Sequence, residues 1–184
     1  MSIIAYLNSK GFFNIENNIL EDSEIIKDLI ELTNKPNINL LEINFNSGLL
    51  TDILLENNKD LKIVSFDLCD YDYVLTSKEY IDKKFPDRHN LIIGNSAINI
   101  PLYQKYNEND IFDIILINCD KNNEDINIDI NNCLSLTNKD SIIIINNYYN
   151  SYINLNDCLR DNKIIKINKK DYSKNKQLFY GKYI

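Results

Sequence analysis

Leu40-Leu41-Glu42-Ile43-Asn44-Phe45-Asn46-Ser47-Gly48 decides how this chain is read. An apolar run from Ile38 to Ile43 breaks into a polar turn carrying the only glycine between Gly11 and Gly94, and a helical pattern follows at Leu49–Asn57. Strand, tight turn and helix start is the unit of an open α/β sheet. In that unit the turn after the first strand holds a nucleotide-like ligand, because backbone N–H groups and the helix N-terminus face outward from the carboxyl edge of the sheet.

The same alternation repeats downstream. Leu61-Lys62-Ile63-Val64-Ser65-Phe66 is a second strand ending on Asp67, and Leu75–Phe85 is a helix stopped by Pro86. His89–Ile93 is the third strand and breaks at Gly94-Asn95-Ser96, with a short helix over 97–106. Phe112–Ile117 is continuous enough to be buried on both faces and breaks at Asn118-Cys119-Asp120. A helix over Glu124–Leu136 leads to Ile142-Ile143-Ile144-Ile145, which ends on Asn146-Asn147-Tyr148. A helix over 150–160 and two strands, Lys163–Ile167 and Gln177–Tyr183, complete the chain.

Strand–helix units at near-even spacing predict a doubly wound, mostly parallel sheet with helices on both faces. The last strand is reached through only a short turn, so it must run antiparallel and close the sheet as a hairpin. Upstream of the first strand, Glu21-Asp22-Ser23-Glu24 opens a helix with apolar Ile25, Ile26, Leu29, Ile30 and Leu32, and Pro36 ends it. Residues 1–20 have no clear period and are expected to be loop or short helix lying over a single domain of 184 residues.

Composition narrows the chemistry. No run reaches the ~18 apolar residues of a membrane span, and the basic-then-apolar layout of a signal peptide is missing, so a cytoplasmic location is expected. Four scattered cysteines, Cys69, Cys119, Cys133 and Cys158, and a single histidine, His89, exclude a zinc site or a histidine-based triad. The net charge of −7 opposes binding to a phosphate backbone. The one basic cluster, Lys163 to Lys176, is interleaved with Asp161 and Asp171 and reads as a solvated edge. The abundance of Asn and Ile is the mark of an AT-rich genome.

Every strand ends in polar residues, which places Glu42–Gly48, Asp67, Asn95–Ser96, Asn118–Asp120 and Asn146–Tyr148 along one edge. Asp67, about twenty residues after the glycine turn, has the position suited to ribose hydroxyls. The turn lacks the three glycines that let a pyrophosphate approach, and the chain lacks a Gly-Lys-Ser/Thr for ATP or GTP. A nucleoside ligand without a pyrophosphate fits better.

In order and spacing, Leu-Glu-Ile-Asn-Phe-Asn-Ser-Gly, Val-Ser-Phe-Asp, Leu-Ile-Ile-Gly-Asn-Ser, Phe-Asp-Ile-Ile-Leu-Ile-Asn and Ile-Ile-Ile-Asn-Asn-Tyr resemble the class I S-adenosylmethionine-dependent methyltransferases, nearest their small catechol-type and sugar O-methyltransferase branch. The resemblance implies a seven-stranded Rossmann-like sheet, S-adenosylmethionine as cofactor, and methyl transfer to a small molecule such as a sugar hydroxyl or amine. Carried over, it places Glu42, Asn44, Phe45, Asn46 and Gly48 around the amino-acid part of the cofactor and Asp67 at the ribose hydroxyls. It places Asn95 and Ser96 by the adenine, with the Asn95 side-chain oxygen facing the amino group, and Asn118 at the transfer site. Asp120, Lys121 and Tyr148 stand beside that centre as candidates to deprotonate or orient the acceptor, within a substrate side also bearing Tyr71, Tyr73, Tyr149 and Tyr152.

Three departures accompany it. Asn44 replaces the first glycine of the turn; asparagine tolerates a left-handed backbone, but its side chain is expected to project toward the cofactor. Asn118, Asn146 and Asn147 stand where metal-dependent members carry acids, so no metal is expected. Asn95 replaces an acid. A catalytically silent binding or scaffold relative is the rival reading, and a nucleic-acid methyltransferase a third. A homodimer follows only by analogy with small relatives.

Overall fold

The computed structural model describes residues 1–15, 23–118, 123–146, 164–167 and 179–183. Its elements in order are α1 (Ile3–Ser9), α2 (Ser23–Thr33), β1 (Asn39–Ile43), α3 (Leu49–Asn57), β2 (Lys62–Asp67), α4 (Tyr73–Lys84), β3 (His89–Ile93), α5 (Ser96–Tyr106), β4 (Ile114–Asn118), α6 (Asn123–Cys133) with a 3-10 turn at Leu134–Leu136, β5 (Ile142–Asn146), β6 (Ile164–Lys166) and β7 (Phe179–Tyr183). The seven strands form one sheet in the order β3-β2-β1-β4-β5-β7-β6. The first five are parallel to one another, and β7 runs antiparallel between β5 and β6. The doubly wound sheet with a reversed C-terminal hairpin expected from the sequence is therefore the observed architecture.

The order reverses between β1 and β4, so the crevice of the sheet opens at their carboxyl ends. Strand alternation explains the two cores. Ile38, Leu40, Ile63, Ile114, Leu116 and Ile144 face one side and pack under α1, α2, α3 and α4. Leu41, Ile43, Phe66, Ile115, Ile117, Ile143 and Ile145 face the other and pack under α5 and α6. β4 is buried along its whole length, as its unbroken apolar run predicts.

The N-terminal stretch, expected as loop or short helix, contains a helix. Ser2 caps α1 through its side-chain oxygen, and Ile3 and Leu7 are fully buried beside α4 and α3. α4 begins at Tyr73, two residues before the apolar pattern suggested, because Tyr73 and Val74 both turn inward. The helix expected over 150–160 lies outside the described residues, as does most of the basic cluster, from Lys169 to Lys176. Among the described residues no helix is long and apolar enough to cross a membrane.

Candidate active site

The β1 turn is built from left-handed residues. Asn44 (φ 75°), Asn46 (φ 52°) and Gly48 (φ 68°) reverse the chain within five residues. Phe45 swings inward instead of toward the ligand edge. Its ring stacks on the His89 imidazole at 4.8 Å and covers Gly48 so closely that a Cβ there would lie 2.5 Å from the ring. Only glycine meets both demands, which explains its place at the foot of α3.

Asn44 does what its side chain allows. Its Nδ2 donates to the Asn118 carbonyl of β4 at 3.2 Å, and its backbone N–H donates to the Phe66 carbonyl of β2 at 2.8 Å. The amide expected to project toward a cofactor is thus turned across the sheet and ties β1 to β4. Asn46 is fixed from two sides, by its N–H donating to Asp67 Oδ2 at 2.8 Å and by the Tyr73 hydroxyl donating to its Oδ1 at 2.8 Å.

Asp67 closes β2 and is oriented by backbone. Oδ2 accepts from the Asn46 N–H and Oδ1 from the Cys69 N–H at 2.7 Å, Cys69 itself being left-handed (φ 60°). A carboxylate carries about four acceptor sites, so each oxygen keeps capacity for a further donor. The next turn is joined to the same residue, since the Gly94 N–H donates to the Asp67 carbonyl at 2.8 Å. Gly94 (φ 124°) leaves room for the Asn99 amide, which donates to the Ile93 carbonyl at 2.9 Å.

Between these turns lies a cleft of about 230 Å³, lined by Asn44, Asn46, Asp67, Tyr71, Gly94 and Ser96, with Ile43, Phe66, Leu68 and Asp70 completing the wall. Tyr71 lies flat on Tyr73, ring centroids 5.1 Å apart, and so is positioned by the residue that holds Asn46. The flat face of Tyr71 and a carboxylate with open acceptor positions are features a ribose-bearing heterocycle can use.

Glu42 is buried on the sheet face that packs against α3, with one hydroxyl neighbour from α3 and one from β2. Oε2 accepts from the Thr51 hydroxyl at 2.8 Å and from the Ser65 hydroxyl at 2.7 Å, while Asn118 Nδ2 stands 3.4 Å from Oε1. Burial pushes its carboxyl up to about 7, against the two hydroxyl donors, with the Asp67 charge adding to the rise. His89 Nε2 lies 3.0 Å from Ser65 Oγ. With the serine hydrogen committed to Glu42, Oγ can only accept, so the imidazole carries its proton on Nε2. Burial, with the charge of Lys78, pulls this histidine down to about 3, so it stays neutral.

Of the residues singled out from sequence, the structure brings Glu42, Asn44, Asn46, Gly48, Asp67, Ser96 and Asn118 to one edge. Asn95 is exposed and its Oδ1 accepts from the Ala97 N–H at 2.9 Å, capping α5, so it is Gly94 and Ser96 that line the cleft. Phe45 is near the site but points away from it. Asp120, Lys121, Asn147, Tyr148, Tyr149 and Tyr152 lie outside the described residues. Sequence reasoning passed over Thr51, Ser65, Leu68 and Asp70. Ser65 had a signal: in Ile63-x-Ser65-x-Asp67 it is a polar residue at an inward position of an apolar strand.

The strand order and the reversed C-terminal hairpin give the fold seen in class I S-adenosylmethionine-dependent methyltransferases. No family profile and no curated protein sequence matches the chain. Solved structures do. The apo structure of CalS11, a TDP-rhamnose 3′-O-methyltransferase of calicheamicin biosynthesis, superimposes with a TM-score of 0.71 at 14% identity over 92% of this chain and 81% of its own. A precorrin-6y C5,15-methyltransferase from Geobacter metallireducens gives 0.66 at 9% identity, over 99% and 97%. A TehB-like SAM-dependent methyltransferase from Corynebacterium glutamicum gives 0.62 at 11% identity, over 97% and 92%. At these identities the likeness is one of fold.

Proposed function

We propose that this protein transfers a methyl group from S-adenosylmethionine to a hydroxyl or amine of a small molecule, such as a sugar, without a metal ion. The observation that carries the reading is the Asp67 carboxylate, held open at the wall of the cleft by two backbone N–H groups. Its free acceptor positions suit a pair of ribose hydroxyls, and the Tyr71 face and Gly94–Ser96 turn suit the adenine. The similarity to CalS11, which methylates a sugar nucleotide by its description, supports the sugar alternative.

The residues present fit this cofactor. Asn118, buried at the end of β4, leaves its Oδ1 with no hydrogen-bond partner, an acceptor to be met at the transfer site. The sulfonium of S-adenosylmethionine is already a good leaving group. What remains for the protein is alignment and exclusion of water, a task that asks for no histidine. Metal independence is supported by the amides at Asn118 and Asn146, which lack the charge that offsets dehydration of Mg²⁺.

Calorimetric titration of S-adenosylmethionine tests the reading. The wild type is expected to bind in the micromolar range, about −8 kcal/mol, with and without Mg²⁺. Asp67→Ala is expected to abolish binding while its circular dichroism stays that of the wild type. No binding by the wild type at millimolar ligand would overturn the proposal in favour of a silent binding protein.

A further inference from the structure

Asn46 keeps a side chain at a left-handed position of the β1 turn (φ 52°), a conformation that glycine takes without strain and asparagine tolerates. That side chain is oriented from behind. The Tyr73 hydroxyl donates to its Oδ1 at 2.8 Å, and Tyr73 is buried at the start of α4, outside the set of residues that line the cleft. The amide is planar, with its oxygen and nitrogen on opposite sides of Cγ. Anchoring Oδ1 on the wall therefore leaves Nδ2 on the open side, toward the cleft that Asn46 lines. Among the described residues Nδ2 has no hydrogen-bond partner, since the bonds of Asn46 run through its backbone N–H and its Oδ1.

Two of the side chains that line the cleft carry N–H donors, Asn44 and Asn46. Asn44 Nδ2 is turned to the Asn118 carbonyl at 3.2 Å, so Asn46 supplies the amide donor left to a ligand. The acceptor stands beside it. The Asn46 N–H donates to Asp67 Oδ2 at 2.8 Å, which fixes this residue against a carboxylate that keeps acceptor capacity of its own. We propose that Asn46 Nδ2 is a ligand-binding donor that acts with Asp67 to select a hydroxyl on the sugar of the ligand, and that Tyr73 is the positioning residue that sets the amide. This rests on the reading of the cleft as an S-adenosylmethionine site.

A carboxylate alone accepts from any N–H or O–H and so distinguishes few ligands. An amide N–H next to it asks for an acceptor at the same place, and a hydroxyl is donor and acceptor at once. It gives its hydrogen to Asp67 and takes one from Asn46. A methylene at that place leaves both protein groups unpaired, which is how a site built around a hydroxyl rejects the analogue that lacks it. The Tyr71 ring lies on that of Tyr73, centroids 5.1 Å apart and nearly parallel, so one residue backs both the flat face and the donor. Tyr73→Phe separates the two tasks, because it keeps the ring and removes only the hydroxyl.

Calorimetric titration of S-adenosylhomocysteine, and of its 2′-deoxy and 3′-deoxy counterparts, into the wild type, Asn46→Gly, Tyr73→Phe and the double variant tests this. Asn46→Gly suits the left-handed backbone and keeps the N–H that holds Asp67. It is expected to lose about five- to tenfold in affinity for S-adenosylhomocysteine, the worth of one net hydrogen bond, and less than about twofold for the counterpart that lacks the hydroxyl met by Nδ2. Tyr73→Phe is expected to lose about two- to fourfold by itself and less than about 1.5-fold on top of Asn46→Gly, because the hydroxyl acts through the amide. Additive losses in the double variant would remove Tyr73 from the role given to it. An Asn46→Gly affinity within about twofold of the wild type would overturn the inference alone. So would equal losses for S-adenosylhomocysteine and both deoxy counterparts, the result that a merely loosened turn would give. A wild type that binds neither S-adenosylmethionine nor S-adenosylhomocysteine would overturn the cofactor reading and this inference with it.

Discussion

Gly48 sets the tightest constraint at the level of single residues. Two effects oppose a side chain there, and the chain holds a control that separates them. Gly11 is also left-handed (φ 95°), but a Cβ added there would have nothing within 4 Å, whereas at Gly48 (φ 68°) the Phe45 ring is at 2.5 Å. Gly11→Ala should therefore cost only the conformational penalty, about 1 kcal/mol. Gly48→Ala should add displacement of a ring stacked between the turn and His89, for a total of about 2–4 kcal/mol. Urea unfolding of the two variants decides it, and equal losses would mean that the Phe45 contact carries no energy. Asn44 shows the opposite case, a non-glycine residue in a left-handed position (φ 75°) that recovers stability by bonding across to β4. The sequence made the turn legible from apolar run, polar break and glycine, yet not the direction of Phe45 or of the Asn44 amide. Both are decided by long-range neighbours, His89 and Asn118, that lie more than forty residues away.

At the scale of elements, strands and most helices were legible because period and punctuation agreed: β3 spans His89–Ile93 as read, and α3 covers Leu49–Asn57 as read. What stayed hidden was the polar row that spans four strands, because strand order is not written in any one segment. Once β3, β2, β1 and β4 are adjacent, Ser65 joins His89 to Glu42. The row makes a prediction about stability. Glu42 is raised from 4.5 to about 7, so the native state holds its proton where the unfolded chain has lost it, and this contribution is present below 4.5 and lost as pH rises through 7. Its size is on the order of 3 kcal/mol. His89 is lowered from 6.5 to about 3, so its contribution is present above 6.5 and lost as pH falls through 3. Between about 4.5 and 6.5 the two slopes oppose each other. Replacing one group should expose the other. Stability of Glu42→Gln relative to wild type is expected to improve with rising pH between 4.5 and 7, and that of His89→Gln to improve as pH falls from 6.5 toward 3. Denaturation midpoints across pH test this, and parallel curves for all three proteins would show that neither group is held as the structure shows it.

Across the whole molecule, the sheet separates a helical layer of α5 and α6 from one of α1 to α4, and the site is supported mainly from the second. α1 belongs to this support. With seven residues it is too short to show a period, which is why sequence reading left it undefined. Its two fully buried residues, Ile3 and Leu7, join the core shared by α3 and α4, and Tyr80 of α4 donates to the Met1 carbonyl at 2.6 Å. Just beyond α1, the Phe12 ring meets Tyr73 edge-on at 6.3 Å, and Tyr73 is the residue whose hydroxyl holds Asn46 and whose ring backs Tyr71. The N-terminal segment thus reaches the cleft wall from behind, through one aromatic side chain. Removing Ile3 and Leu7 by alanine substitution should cost about 3–6 kcal/mol from lost burial. Phe12→Ala should do something different. Phe12 is only partly buried, so its loss should cost stability no more than about 1 kcal/mol, while Tyr73 loses its edge contact and Asn46 and Tyr71 lose a fixed support. Weaker binding of S-adenosylmethionine by Phe12→Ala, with the unfolding midpoint nearly unchanged, is the expected result. An unchanged affinity would confine the N-terminal segment to covering the core and leave the cleft to the sheet edge alone.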